Sequence, residues 1–213
     1  MARVALVTGG MGGLGEAVCI KLAALGFRVV TTHSPGNTKA AEWLQAMNNM
    51  GYGFKAYACD VSDFDSCKAC VDTVTREVGP VDVLVNNVGQ RRRQALDDLP
   101  AAALRELLET NLVGAWSLCR EAAVIMRRQG SGRIINITSV VGETGNPGQA
   151  NYAAAKAAIG ANYCSGQVCI STQRIYIEAA GYDAFKKYFL EEVAKLNRLG
   201  ARTALFRAEP EST

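Results

Sequence analysis

The stretch Arg3-Val4-Ala5-Leu6-Val7-Thr8-Gly9-Gly10-Met11-Gly12-Gly13-Leu14-Gly15 decides the fold. Its first half is a short continuous apolar run, the pattern of a strand buried on both faces. Its second half removes Cβ atoms from a turn, and a helical-period segment follows to Leu25, closed by Gly26. Such a turn lets a phosphate approach the backbone and lets the helix pack close, while the helix N-terminus offers free N–H groups and a favourable dipole. A glycine-rich turn alone also reads as a merely flexible loop. Between a strand and a helix, at the opening of a βαβ unit, it reads as a pyrophosphate cradle. Gly9, Met11, Gly12, Gly13, Leu14 and Gly15 are therefore candidate dinucleotide contacts.

Outward from this stretch, apolar runs alternate with helical-period segments. Strands are predicted at residues 3–8, 27–32, 54–60, 81–85 and 133–138. Helices are predicted at 13–25, 39–50 and 63–78. Two more fill 101–129, with a break near 111–114, and a long helix runs from Tyr152. Strands alternating with helices of this length predict an α/β fold, a Rossmann-like doubly wound parallel sheet in three α/β/α layers. Val81-Asp-Val-Leu-Val85 has the continuous apolar character of a strand covered on both sides.

The composition narrows the function. With 213 residues, 49% hydrophobic and 20% charged, the chain suits one domain with or without an appended segment, and disorder is excluded as its main state. No stretch approaches the ~20 apolar residues of a membrane span. The net charge of +3 does not point to nucleic acid. The start Met-Ala-Arg-Val lacks a signal-peptide pattern, so a cytoplasmic location is expected. The seven cysteines are an odd, scattered set that suits a reducing compartment, where they act as small buried hydrophobes. Cys67-Lys-Ala-Cys70 has the spacing of a redox or metal pair. It has no second pair, and His33 is the only histidine, so it reads as two cysteines on one helix and no metal is predicted.

The spacing Thr-Gly-x-x-x-Gly-x-Gly over residues 8–15 resembles the short-chain dehydrogenase/reductase family, and four further elements agree in order. Asn86-Asn87-Val88-Gly89 resembles the family's Asn-Asn-Ala-Gly element, with Val88 a departure. Asn111, in Glu-Thr-Asn-Leu, falls at the family's active-site Asn. Ser139 follows the fifth strand, and Tyr152-Ala-Ala-Ala-Lys156 comes thirteen residues later. Within the family the chain is most similar to the acetoacetyl-CoA reductases, through Gly26-Phe-Arg-Val-Val30 and Gly148-Gln-Ala-Asn-Tyr152. The 3-oxoacyl-(acyl-carrier-protein) reductases are the nearest competitor. The resemblance implies cofactor contacts at Asn87, Val88 and Gly89, an adenine border at Asp60 and Val61, and a substrate contact at Gln149. It also implies a homotetramer formed through the helices flanking the fifth strand.

The residue types suit that chemistry. Tyr152 and Lys156 are four apart and share one helix face. A phenol is a weak acid near neutrality, and a neighbouring cation favours release of its proton. Tyr152 would pass a proton to a ketone oxygen as hydride reaches the carbon, Ser139 would hold the same oxygen, and Lys156 would also hold the nicotinamide ribose. The resemblance implies that Asn111 supports the lysine through water. The second strand ends in Val30-Thr-Thr-His-Ser-Pro-Gly-Asn-Thr-Lys39, with no acid to hold ribose hydroxyls. The expected cofactor is therefore NADPH, with Lys39 as partner of the 2′-phosphate and Thr32, His33 or Ser34 assisting. His33 also reads as a loop histidine without a role. Arg91, Arg92 and Arg93 suit either substrate phosphates, with Arg93 as a contact, or a solvated charge run.

After Ala161 the family motifs stop. Ser165 to Glu178 resembles the segment around the nucleophilic cysteine of aldehyde dehydrogenases, with Cys169 at the matching position. The glutamate motif and cofactor domain of those enzymes are absent, so the segment is expected to supply a strand at 173–178 and a helix at 182–199. The expected organisation is a reductase domain at 1–161, an atypical extension at 162–200 and a tail at 201–213. The expected function is NADPH-dependent reduction of a 3-oxoacyl thioester, acetoacetyl-CoA above all. A reductase of carrier-bound thioesters and a catalytically impaired dinucleotide-binding hybrid stay open. The expected partner is a small acyl thioester, with neither nucleic acid nor membrane.

Overall fold

A computed structural model describes residues 2–95 and 97–162. Five strands form one sheet: β1 (Val4–Thr8), β2 (Arg28–His33), β3 (Lys55–Ala58), β4 (Val81–Asn86) and β5 (Arg133–Asn136). All neighbours are parallel, in the order β3-β2-β1-β4-β5. This is the doubly wound arrangement expected from the sequence. The chain builds outward from β1 to one edge, then returns to β1's other side.

Burial explains the strands. β1 is buried along its whole length. Val4 and Leu6 join an apolar cluster with Leu84, with α3 (Phe64–Glu77) through Val71 and Val74, and with α5 (Gly114–Gln129) through Leu118 and Ala122. Ala5 and Val7 point to the opposite cluster, with Val83, Val85 and Cys19 of α1 (Gly13–Ala24). Period-two alternation thus feeds two cores, one under each helical layer. α2 (Ala40–Asn49) lies beside α1, where the Trp43 indole N–H donates to Glu16 at 2.7 Å. Trp43 also stacks on Phe54, just ahead of β3. α3 starts at Asp63 because that carboxylate accepts the N–H groups of Asp65 and Ser66.

Three expectations need correction. The break near 111–114 is not a break. α4 (Ala101–Leu108) passes through a π-helical turn, Glu109–Val113, straight into α5. An extra residue is taken up in one wide turn, so the rod continues. The strands at 54–60 and 133–138 are shorter than the apolar runs, and Cys59, Asp60 and Ser139 lie in the turns beyond them. A short helix, α6 (Val141–Thr144), precedes α7 (Ala150–Asn162) and was not predicted. The strand at 173–178, the helix at 182–199 and Cys169 lie outside the described residues. Among the described residues, no helix is long and apolar enough to cross a membrane.

Gly114 marks the closest approach of α5 to the turn after β3. A Cβ there would stand 2.5 Å from the Val61 carbonyl oxygen. Gly114→Ala is expected to cost roughly 1–3 kcal/mol through forced backbone movement, read from the urea midpoint.

Candidate active site

The C-terminal ends of β1 and β4 meet where the strand order turns back, and a crevice opens there. Thr8 joins the two sides. Its Oγ1 accepts the N–H groups of Asn87 at 2.9 Å and Val88 at 3.1 Å, and donates to the Val85 carbonyl at 3.4 Å. Asn87 answers with its amide, which donates to the carbonyls of Thr8 at 3.0 Å and Gly9 at 3.2 Å.

The glycines divide into two kinds. Gly15 faces inward: a Cβ would stand 2.4 Å from the Gly9 carbonyl oxygen and 2.7 Å from Asn87 Nδ2. Gly12 and Gly13 face outward, and a Cβ at either would meet nothing within 4 Å. α1 begins here, and no side chain caps it at Gly12. An open backbone surface leads into an uncapped helix N-terminus, a fit for the pyrophosphate of a dinucleotide. Leu14 is exposed and Met11 partly buried.

A cavity of about 560 Å³ runs along the crevice, lined by Gly9, Val88, Asp60, Val61 and the Thr32–His33–Ser34 end of the second strand. Asp60 turns its carboxylate to Ser62, accepting both the N–H at 3.0 Å and the hydroxyl at 2.6 Å. Asn37 donates to the Met11 sulfur at 3.6 Å and accepts the Lys39 N–H at 2.8 Å. That pins the Lys39 loop beside the glycine turn. Lys39 is exposed and stands outside the cavity wall.

Gly89 is the meeting point at the inner end. A Cβ there would lie 3.4 Å from Lys156 Nζ and 3.6 Å from Asn111 Oδ1. Asn111 is buried in the π turn and clips the backbone of Gln90: Oδ1 accepts its N–H at 2.7 Å and Nδ2 donates to its carbonyl at 2.8 Å. Lys156 is also buried, and its Nζ donates to the Ile137 carbonyl at 2.8 Å. Burial pushes its ammonium below the usual lysine range. Nζ stands 5.7 Å from the Tyr152 ring centre. Thr138 fixes the helix by donating to the Lys156 carbonyl at 2.9 Å. Ser139 follows directly and accepts the Val141 N–H at 3.3 Å.

Gln149 and Arg93 are the remaining predicted contacts. Gln149 is buried, and its Oε1 accepts from Asn146 at 2.6 Å, so its side chain is already engaged. Arg93 is exposed on the loop after Gln90, and a second cavity of about 240 Å³ there is lined by Arg91 and Arg92 rather than Arg93. Sequence reasoning missed the far wall, Glu106, Glu109 and Thr110. Their spacing of three and four just before Asn111 is a helix-face signal. Gln90 had no signal, because only its backbone is used.

Residues 3–180 match the family model described as short chain dehydrogenase. The chain is 41% identical over 157 residues to an acetoacetyl-CoA reductase of Cupriavidus necator, a match covering 74% of this chain and 64% of the relative. It is 43% identical over 157 residues to nodulation protein G of Azospirillum brasilense, with the same 74% and 64%. A 3-oxoacyl-(acyl-carrier-protein) reductase of Staphylococcus aureus is 38% identical over 159 residues, covering 75% and 65%. The crystal structure of gox2181 superposes with a TM-score of 0.71 at 29% identity, covering 75% of this chain and 63% of that one. The matches thus span less than two thirds of each relative's length.

The buried lysine has a measurable signature. The unfolded chain keeps the Lys156 proton up to the ordinary value of 10.5, whereas the folded chain releases it earlier. Between those points the unfolded state binds more protons, so stability contributed at this site rises with pH. The urea midpoint of the wild type relative to Lys156→Met is expected to climb as the pH rises towards 10.5. A constant difference would contradict the burial argument.

Proposed function

Because the chain belongs to the short-chain dehydrogenase family, we propose that it is an NADPH-dependent oxidoreductase. Its substrate is a 3-oxoacyl thioester, acetoacetyl-CoA above all, and its product the 3-hydroxy thioester. The observation that carries this reading is the convergence of Lys156 Nζ and Asn111 Oδ1 on Gly89, at the inner end of the crevice that begins with the glycine turn. Similarity to proteins named acetoacetyl-CoA reductase and 3-oxoacyl-(acyl-carrier-protein) reductase supports the substrate class. The reductase unit is assigned to residues 1–161, active in the cytoplasm as a homotetramer.

Gly9, Met11, Gly12, Gly13, Leu14 and Gly15 hold the pyrophosphate, Asp60 and Val61 border the adenine, and Asn87, Val88 and Gly89 line the approach to the nicotinamide. When bound, the dinucleotide supplies hydride to the carbonyl carbon. Tyr152 gives its hydroxyl proton to the carbonyl oxygen, and the Ser139 hydroxyl donates a hydrogen bond to the same oxygen. Lys156 favours that transfer as a nearby cation and binds ribose hydroxyls. Asn111 holds Gln90 and thereby the loop beside Gly89. Lys39 takes the 2′-phosphate, held near the glycine turn through Asn37. The arginine-lined second cavity suits the phosphate groups of CoA or of a carrier's phosphopantetheine arm.

Tyr152→Phe is expected to lower NADPH oxidation by acetoacetyl-CoA about 10²–10⁴-fold, with NADPH binding by fluorescence unchanged. Full turnover in that variant would overturn the role of Tyr152. Lys39→Ala is expected to weaken NADPH far more than NADH in the same titration. Equal losses would remove Lys39 from the phosphate site.

A further inference from the structure

Cys59, Cys67 and Cys70 come together behind the adenine wall of the crevice. Cys59 follows β3 directly, and its N–H is fixed on the His33 carbonyl at 2.8 Å. Cys67 and Cys70 lie on the first turns of α3 and face back towards it. All three are buried in one apolar cluster with Val61 and Val71. Both other thiols stand near enough to act on the Cys59 thiol within this cluster. Cys67 Sγ also reaches the carbonyls of Val61 at 3.5 Å and Asp60 at 3.8 Å, the two residues after Cys59. Cys59 itself lines the cavity, whereas Cys67 and Cys70 stand behind it. All are free thiols. Among the described residues, no group of three or more His, Cys, Asp or Glu is placed to hold a metal ion.

We propose that Cys59 is an oxidative modification site, oxidised by hydrogen peroxide entering from the crevice and resolved by Cys67 into a Cys59–Cys67 disulfide. Two neighbouring thiols stabilise a thiolate at Cys59 by hydrogen bonding and draw its pKa down, while the same bonds push Cys67 and Cys70 up. The Cys59 thiolate attacks a peroxide oxygen. An S–O bond forms, the O–O bond breaks, and hydroxide leaves to become water. The Cys67 sulfur then displaces hydroxide from the sulfenic acid, giving an S–S bond and a second water as its own proton departs. Two thiols lose two electrons and the peroxide gains them. An external thiol reverses the reaction. Cys19 is the internal control: burial and Glu16 hold its thiol protonated, with its pKa pushed up to about 12.

The consequence for the crevice rests on the proposed cofactor site. Cys67 Sγ gives up its bonds to the Asp60 and Val61 carbonyls when it joins Cys59, and those two residues form the adenine border. The test treats the full chain with stoichiometric hydrogen peroxide, blocks remaining thiols by alkylation, and maps peptides by mass spectrometry. A Cys59–Cys67 cross-link, lost with dithiothreitol and accompanied by alkylated Cys19, is the expected result. Alkylated Cys59, or a link made elsewhere, overturns the proposal. In parallel, oxidation is expected to weaken NADPH binding roughly tenfold in the wild type and not in Cys67→Ala. A cross-link with unchanged binding overturns the effect on the crevice. An untreated chain that binds no NADPH overturns the cofactor reading, and the cross-link map still decides the modification site.

Discussion

The Thr8 hydroxyl holds the two halves of the sheet together where a ligand must enter. Strands on either side of a topological switch diverge beyond their last ladder bond, and the crevice exists because they do. One oxygen accepts two backbone N–H groups from the β4 side and donates to a third group, so it bridges the gap that it borders. Asn87 repeats the bridge in the opposite sense, giving its amide to two carbonyls of the β1 side. The glycine turn then has a fixed origin. Gly15 can press against the Gly9 carbonyl only because it carries no side chain, while Gly12 and Gly13 face outward.

From this origin the inner site is assembled by backbone as much as by side chains. Gly89 continues the loop after Asn87, and a lysine and an asparagine from two distant helices approach it to ordinary van der Waals distance. Each is tethered by a carbonyl or an amide of the main chain: Lys156 to Ile137, Asn111 to Gln90. Groups restrained in this way lose little freedom when a reactant arrives. The lysine carries a tension of its own, since a buried ammonium with one carbonyl partner is held against its preference for water.

Much of the fold was legible because its determinants are local. Continuous apolar runs bounded by glycine marked β1, β2 and β4 almost to the residue, and the helical-period segment from residue 63 marked α3 nearly as closely. The ends of β3 and β5 were not legible, because Cys59 and Ile137-Thr138 are as compatible with a strand as the residues before them, and tertiary contacts stop the ladders. The π turn escaped because Gly114 reads as a helix breaker, whereas its real constraint is the Val61 carbonyl from another part of the chain. In the site, the residue types stood out at Asn111, Ser139, Tyr152 and Lys156. Their partners Gln90 and Ile137 did not, since a main-chain group leaves no mark in composition. Gln149 drew attention through the family resemblance, and only the folded chain places Asn146 against it.

The wide turn at Glu109–Val113 has one more implication. Inserting a residue rotates everything after it by roughly 100° about the axis. α4 and α5 are a single rod whose two ends therefore look in different directions: the first half leans on α7, the second on α3 and β4. Asn111 sits at the twist between them, where it belongs to neither stripe. One uninterrupted cylinder thereby fastens the helix that carries Tyr152 and Lys156 to the layer that carries Val61, with the asparagine in between.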